Sequence, residues 1–260
     1  MEAPFQEILT VMENAFRRME RQIPQPKEVP YKDSFVFRYK EKTIEQALIQ
    51  KLARVISGLH AVNLLLDHGF LQEQAVLHRT LDELNEDIMF LAYALTNDGI
   101  TDLHNRYLKA FYEEEFDKPY DPVASTQKRD MVPRKKIHAY LVRTTETGLD
   151  PSRGSALYRT LSKAFSGFVH AASPQIMDMW GGAPPKFSLN GMLGTPRVEE
   201  YKRDAWNYFY RGLISVTVVG KAFGDKPLVD SLLSCKEQFE RAYGKDYSEE
   251  IGMPPPGAKK

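Results

Sequence analysis

The chain of 260 residues contains a single cysteine, Cys235, which excludes an intrachain disulfide and any metal cluster held by several cysteines. It also lacks an excess of charge, because 35 Lys and Arg residues balance 35 Asp and Glu residues. A net charge of zero gives no bulk electrostatic reason to bind nucleic acid or an anionic membrane, and it mildly favours self-association. There is no run of about 18 apolar residues and no secretory signal pattern, so we expect a cytoplasmic protein without a membrane span.

Familiar catalytic and metal-binding motifs are missing as well. A serine hydrolase of the nucleophile-elbow type needs Gly-x-Ser-x-Gly, whereas residues 164–168 read Ala-Phe-Ser-Gly-Phe. Di-iron helical bundles need Glu-x-x-His on two helices, and no glutamate here is followed three residues later by histidine. We therefore expect neither a cofactor nor a metal. The acidic and histidine residues that could have served as metal ligands are Glu83, Glu86, Asp87, His60 and His170.

Helical periodicity dominates the chain and predicts an all-α fold, a multi-helix bundle with a long antiparallel helical hairpin at its centre. Thr43 and Gln46 form a capping-box pattern at the start of the first helix of this hairpin, and Gly69 ends that helix as a residue suited to the left-handed conformation. Asp225 and Pro227 indicate the start of the last helix. The apolar spacing places the two hairpin helices at residues 43–67 and 71–95. It places the remaining helices before the last one at residues 5–23, 101–116, 134–147, 150–172 and 198–220.

The segments between these helices suggest three parts: an N-terminal helix with an extended arm at 1–42, a helical bundle at 43–247 and a disordered tail at 248–260. Residues 33–39 are aromatic but have no evident pairing partner, so we expect an extended loop there. Residues 174–196 are rich in glycine and proline yet carry many large apolar side chains, Trp180 among them. A disordered linker would not contain so many, and we expect this loop to be ordered and to contribute to binding.

Two helical segments carry polar residues on a second face, which suggests that both faces are packed. In the first segment, Arg79 and Glu83 lie one helical turn apart, beside Val76 and Phe90. One interpretation is an ordinary surface ion pair. The other is an arginine that a carboxylate holds inside a bundle and aims at an anion.

The second segment, residues 155–172, places Ser166 and His170 one turn apart, with Tyr158 and Ser162 on the same side. His170 could act as a general acid or base, with Ser166 or Tyr158 orienting its ring and Ser162 contributing to binding. Alternatively, His170 is a structural residue within a helix interface. Both faces together could close around one small polar site.

Residues 77–91 (LHRTLDELNEDIMFL) and 161–171 (LSKAFSGFVHA) resemble an uncharacterised bacterial family of all-helical proteins, known only as a domain of unknown function. In that family an Arg-x-x-x-Glu helix precedes a helix with serine, three residues and then histidine, which correspond here to Arg79, Glu83, Ser166 and His170. The chain departs from the pattern at Ser162, where an aromatic residue is usual, and at Ala171, where proline is usual. The family is distantly similar to HEPN-type RNA-cleaving bundles.

HEPN proteins also use an arginine followed by four to six residues and a histidine, a spacing that Arg54 and His60 satisfy but that arises readily by chance. Two hypotheses follow. In the first, the chain is an HEPN-like phosphodiester-directed enzyme that acts on RNA or binds a small anionic ligand through His170, Arg79, Glu83 and Ser166. In the second, it is a non-catalytic helical binding or interaction module, such as a homo-oligomer, whose polar faces are buried structural networks.

Overall fold

The structure is a computed structural model that describes residues 3–97, 99–144, 156, 160 and 163–244. The predicted site residues Tyr158 and Ser162 and the predicted tail at 248–260 lie outside these residues. The longer helices are α1 (Ala3–Glu20), α2 (Ile44–Asp67), α3 (Leu71–Thr96), α4 (Asp102–Tyr112), α5 (Arg134–Thr144), α8 (Arg197–Ala222) and α9 (Lys226–Ala242). Two short helices, α6 (Ser166–Val169) and α7 (Ser173–Met177), and a 3-10 turn at Pro122–Ala124 complete the helical elements described.

These helices confirm the all-α bundle and its central hairpin. The capping box predicted for α2 is present, since the Thr43 hydroxyl accepts the Gln46 amide at 3.3 Å and the Gln46 side chain accepts the Thr43 amide at 3.2 Å. Gly69 turns the chain with a φ of +73°, so that α3 returns antiparallel along α2. At the start of α9, the Asp225 carboxylate caps the helix by accepting the Leu228 amide at 3.2 Å.

The core lies between α1, α2, α3, α8 and α9. α1 belongs to it fully, because Leu9, Met12 and Met19 have no solvent exposure. α8 approaches α2 closely at Gly212, where a Cβ atom would lie 2.6 Å from Leu59 Cδ1. Within the described residues, no helix is both long enough and apolar enough to cross a lipid bilayer.

The expectation of an unpaired loop at residues 33–39 is wrong. Strands β1 (Lys27–Tyr31) and β2 (Ser34–Arg38) form an antiparallel hairpin in which Val29 faces Val36. Pro30 hid the first strand from sequence reading, although proline is tolerated in an edge strand. The hairpin is held to the bundle by a bidentate Arg38–Glu114 ion pair, at 2.6 and 2.9 Å, across 76 positions of sequence.

The predicted continuous helix over residues 150–172 is also wrong in its described part. The helical run is interrupted at Phe165, restarts as α6 and ends at His170, and Ala171 then takes a positive φ of 50°. Pro174 opens α7 instead of stopping the preceding helix, because proline suits the first turn of a helix. The predicted helix at residues 101–116 likewise ends earlier, at Tyr112.

The loop expected to be ordered at residues 174–196 contains α7 and a small hairpin of β3 (Trp180–Gly181) with β4 (Lys186–Phe187). Its far end docks on the α2–α3 turn, where the Met192 amide donates to the Gly69 carbonyl at 2.7 Å and the Met192 side chain is buried. A Cβ on Gly69 would lie only 2.6 Å from the Leu193 nitrogen. We call residues 173–196 the strap, because both of its ends contact the start of α3.

Candidate functional site

α3 is packed on both of its faces, as its sequence suggested, and many of its buried side chains are polar. α2 and α8 pack on it, as do α5 and α6. Burial of this much polarity is unusual, because such groups lose hydration and must find partners inside the protein. The buried polar residues of α3 are Gln74, His78, Asp82, Asn85, Glu86 and Asp87.

Asp87 lies at the centre of the first buried cluster, between α3, α2, α4 and α5. Its carboxylate accepts the Lys51 ammonium at 2.8 Å and the Tyr107 hydroxyl at 2.6 Å, and it also pairs with Arg134. Burial opposes ionisation, but the cations Lys51 and Arg134 outweigh it and hold the pKa of Asp87 below its usual value. Asp87 therefore stays ionised as the anionic centre of the cluster.

Glu86 extends the same cluster toward α5. Its carboxylate oxygen Oε2 contacts Arg134 at 2.5 Å and His138 Nε2 at 2.9 Å. Burial again opposes the charge, yet the hydrogen bond to His138 and the positive charge of Arg134 lower the pKa of Glu86. Arg134 thus joins two buried carboxylates and also donates to the Glu83 carbonyl at 3.0 Å, which fixes α5 against α3.

A second buried cluster lies between α3 and α8. The Tyr208 hydroxyl donates to Asp82 Oδ1 at 3.0 Å, and Arg211 pairs with the same oxygen. Burial raises the pKa of Asp82 above its usual value even though Arg211 opposes the shift. His78 stacks on the Tyr208 ring with centroids 3.9 Å apart, and burial together with the Arg211 charge lowers the pKa of His78 to about 3. His78 is therefore neutral at physiological pH.

Arg79 and Glu83 form the ion pair that their spacing predicts, with Arg79 Nη2 at 2.6 Å from Glu83 Oε1. The Arg79 side chain is mostly buried, whereas that of Glu83 is 45% exposed. The second terminal nitrogen, Nη1 of Arg79, is buried and has no hydrogen-bond partner in the described part of the chain. The pair therefore lies at the edge of the buried region, with Glu83 toward solvent and Arg79 toward the interior.

The structure packs α6, which begins at Ser166, against α3. Phe165 meets the His78 ring edge-on at 5.2 Å between centroids, so the residues directly before Ser166 and Arg79 are in contact. His170 itself is exposed, and its backbone amide donates to the Ser166 carbonyl at 3.1 Å. Among the described residues, no hydrogen bond joins the His170 imidazole to the Ser166 hydroxyl or to Arg79, so the catalytic role of these side chains stays a prediction.

Trp180, the predicted binding residue of the strap, is half-exposed and packs edge-on against Phe187 with centroids 4.8 Å apart. The start of the strap is tied to α3 by a hydrogen bond from the Gln72 amide to the Gln175 carbonyl at 2.9 Å. Several large apolar side chains of this region face solvent. They are Ile176, Met177, Trp180, Phe187, Leu189 and Leu193 of the strap together with Val169 of α6, which we call the strap surface.

The alternative pair of site residues, Arg54 and His60, lies on α2 and not on α3. Arg54 is exposed on α2, and His60 pairs with Glu13 of α1. No group of three or more histidine, cysteine, aspartate or glutamate side chains suited to a metal ion occurs among the described residues. These two observations leave α3 as the element richest in candidate functional groups in the part of the chain described.

Sequence reasoning missed the polar residues that α3 directs toward α8. Gln74, His78 and Asp82 recur every four residues between positions of the apolar stripe, and the sequence pattern predicted no role for them. α8 carries a corresponding signal, because Tyr201, Tyr208 and Ser215 recur every seven residues, or two helical turns, and so lie on one buried face. Two helices with matching polar stripes indicate a shared buried interface.

Comparison with known proteins adds no relative to this picture. No protein-family model matches the chain, and neither the curated proteins nor the solved structures include a significant match. The resemblance of residues 77–91 and 161–171 to the helical family of unknown function therefore stays a prediction.

Proposed function

We propose that the chain is a phosphodiester-directed enzyme of HEPN-like type, with its site where α6 packs on α3. The observation that carries the proposal is Arg79, which Glu83 holds through Nη2 while the buried Nη1 has no partner among the described residues. A guanidinium fixed in this way binds a phosphate oxygen without first having to be ordered. The packing of Phe165 on His78 supports the proposal because it keeps the start of α6 beside the Arg79 turn.

In this proposal each side chain has a separate task. Arg79 stabilises the negative charge that develops on the phosphate, and Glu83 keeps the guanidinium in place. His170 moves the proton to or from the reacting oxygen, and its exposure lets a substrate reach it. Ser166 orients the imidazole once substrate is bound, since catalytic hydrogen bonds are often long in the free protein.

The test is cleavage of a fluorophore-labelled single-stranded RNA by the purified full chain. We expect cleavage by the wild type and a loss of about 100-fold or more in His170→Ala and Arg79→Ala, in line with the usual contribution of an acid–base group. His60→Ala is the matched control, because His60 pairs with Glu13 away from this site, and it should retain activity. Cleavage that survives in His170→Ala but disappears in His60→Ala would move the site to Arg54 and His60.

A second candidate function, a helical protein-interaction module, is favoured by the strap surface. Exposed apolar patches of this kind mark interaction sites, and the strap is held at Gly69 and Gln72. The zero net charge removes electrostatic repulsion between copies, which favours a homodimer. Light scattering across a concentration series tests this: a dimer that Leu189→Lys converts to monomer supports the module, and a wild type that stays monomeric contradicts the homodimer.

A further inference from the structure

The interface between α3 and α8 contains a continuous line of polar side chains. From α3 it receives Gln74, His78, Asp82 and Asn85, spaced by four, four and three residues and therefore on one helix face. None of the four is more than 5% exposed. From the rise of a helix, the line extends over roughly 16 Å. We call this interface the α3–α8 seam.

Three of these side chains have one polar atom paired across the seam. The Gln74 amide donates to the Tyr201 carbonyl at 3.1 Å. Tyr208 donates to Asp82 Oδ1, and the Ser215 hydroxyl donates to Asn85 Oδ1 at 2.7 Å. The pairing fixes how each side chain is turned, and so it fixes where the remaining polar atoms lie.

The other polar atom of each α3 side chain is buried and has no hydrogen-bond partner among the residues that the structure describes. These atoms are Gln74 Oε1, His78 Nδ1, Asp82 Oδ2 and Asn85 Nδ2. They include acceptors on Gln74 and Asp82 and a donor on Asn85, a mixture that a single metal cation would not satisfy. A molecule that both donates and accepts hydrogen bonds satisfies all of them.

We propose that the α3–α8 seam is a hydration site, in which internal water molecules bind Gln74 Oε1, His78 Nδ1, Asp82 Oδ2 and Asn85 Nδ2. Water fits because internal waters bind where several polar atoms are otherwise unsatisfied, typically with about three hydrogen bonds each. Because His78 Nε2 faces the donating Gln74 amide nitrogen at 3.4 Å, the neutral ring carries its proton on Nδ1 and can donate it to one such water, and Asp82 Oδ2 gains a partner for its unpaired oxygen. The proposal does not depend on the phosphodiester activity.

A crystal structure of the full chain at about 1.8 Å resolution tests the proposal directly. We expect ordered water molecules within hydrogen-bonding distance of Asp82 Oδ2 and of His78 Nδ1. A dry seam, in which Gln74, His78 and Asn85 have turned to pair with one another or with backbone, would overturn it.

Water relaxation dispersion in solution gives an independent count of long-lived internal water molecules. Asn85→Leu removes the donor and fills its space, so we expect the count to fall by at least one. Asn105→Leu, the same substitution at an exposed position of α4, is the matched control and should leave the count unchanged. Equal counts in wild type and folded Asn85→Leu would contradict hydration at that end of the seam, and an Asn85→Leu that fails to fold leaves the crystal structure to decide.

Discussion

The Arg134 guanidinium contacts the carboxylates of both Glu86 and Asp87, two consecutive residues of α3. One arginine at the first position of α5 therefore serves two buried anions and a backbone carbonyl of α3. Lys51 of α2 adds a second positive charge, which pairs with Asp87. Ion pairs therefore join α2, α3 and α5 in addition to their apolar contacts. Substitutions of different residues in this cluster should therefore lower the free energy of unfolding by different amounts.

Asp87→Ala should destabilise the protein far more than Lys51→Met. Removal of Asp87 leaves Lys51 and Arg134 as cations without their shared anion, a loss of about 3–5 kcal/mol for a buried pair. Lys51→Met keeps a similar volume, and Asp87 retains Arg134 and Tyr107, so we expect a cost below about 2 kcal/mol. Urea unfolding of both variants measures the difference. Equal losses would show that Asp87 is not the centre of the cluster.

The free energy of unfolding should fall as the pH decreases from about 6.5, because of His78. Its pKa is depressed from 6.5 to about 3 in the folded state, so the unfolded chain binds a proton first. The stabilisation is complete above pH 6.5 and is lost as the pH falls toward 3. His78→Phe, which preserves the stacking on Tyr208, should flatten this dependence when unfolding is followed at pH 7, 6 and 5. The matched substitution His170→Phe, which removes a histidine at an exposed position, is the control.

Glu86 and Asp87 should add a second loss of stability at lower pH. Their folded-state pKa values lie below the ordinary values of 4.5 and 3.8, so their contribution is complete above those values. It disappears as the pH falls through the lower folded-state values, when protonation breaks the contacts with Arg134 and Lys51. We expect acid unfolding of Glu86→Gln to depend less steeply on pH below 4.5 than that of the wild type. An unchanged dependence would assign acid unfolding to other carboxylates.

Gly191→Ala should release the end of the strap. Gly191 has a φ of +92°, and an added Cβ would collide with the His68 carbonyl oxygen. Gly194→Ala is the control, since Gly194 has a φ of +79° but open space around its Cα. Backbone strain alone costs about 1 kcal/mol. We expect Gly191→Ala to lose more than this and to speed hydrogen exchange at the Met192 amide, whereas Gly194→Ala leaves that amide protected.

Arg79→Ala should cost little stability, about 1 kcal/mol or less, because its partner Glu83 is nearly half-exposed and the pair is a single-turn helix contact. Thermal unfolding of Arg79→Ala beside Asp87→Ala provides the comparison. A loss of 3 kcal/mol or more would make Arg79 a structural residue and weaken the phosphodiester proposal.

The parts of the fold that local sequence governs were predicted well. Thr43, Gln46 and Gly69 mark the ends of α2 through caps that involve neighbours along the chain, and Asp225 marks the start of α9 in the same way. The β1–β2 hairpin was missed because Pro30 lies within its first strand and argues against a strand there, although an edge strand tolerates it. The break before α6 was missed for a different reason, since Phe165 and Phe168 take positions set by His78, Tyr208 and Tyr201.

For the candidate site, spacing predicted the Arg79–Glu83 pair but not the partners of Glu86 or Asp82. Those partners, His138 and Arg211, lie 52 and 129 positions along the chain. From sequence alone, a polar residue on a helix is predicted to face solvent. Its burial becomes clear only when the packed structure shows the residue that pairs with it. Ser166 and His170 have the expected spacing, yet the exposure of His170 depends on where α6 ends.

Short turns between helices usually accept extra residues without harm, but the turn at Gly69 is an exception. Its carbonyl is already bonded to Met192, and its Cα lies against the backbone of Leu193. An insertion there would displace two distant stretches of chain at once. Fusion tags, labels or circular permutation sites placed in this turn would therefore disturb the protein more than those placed at Gly99, around which the space is open.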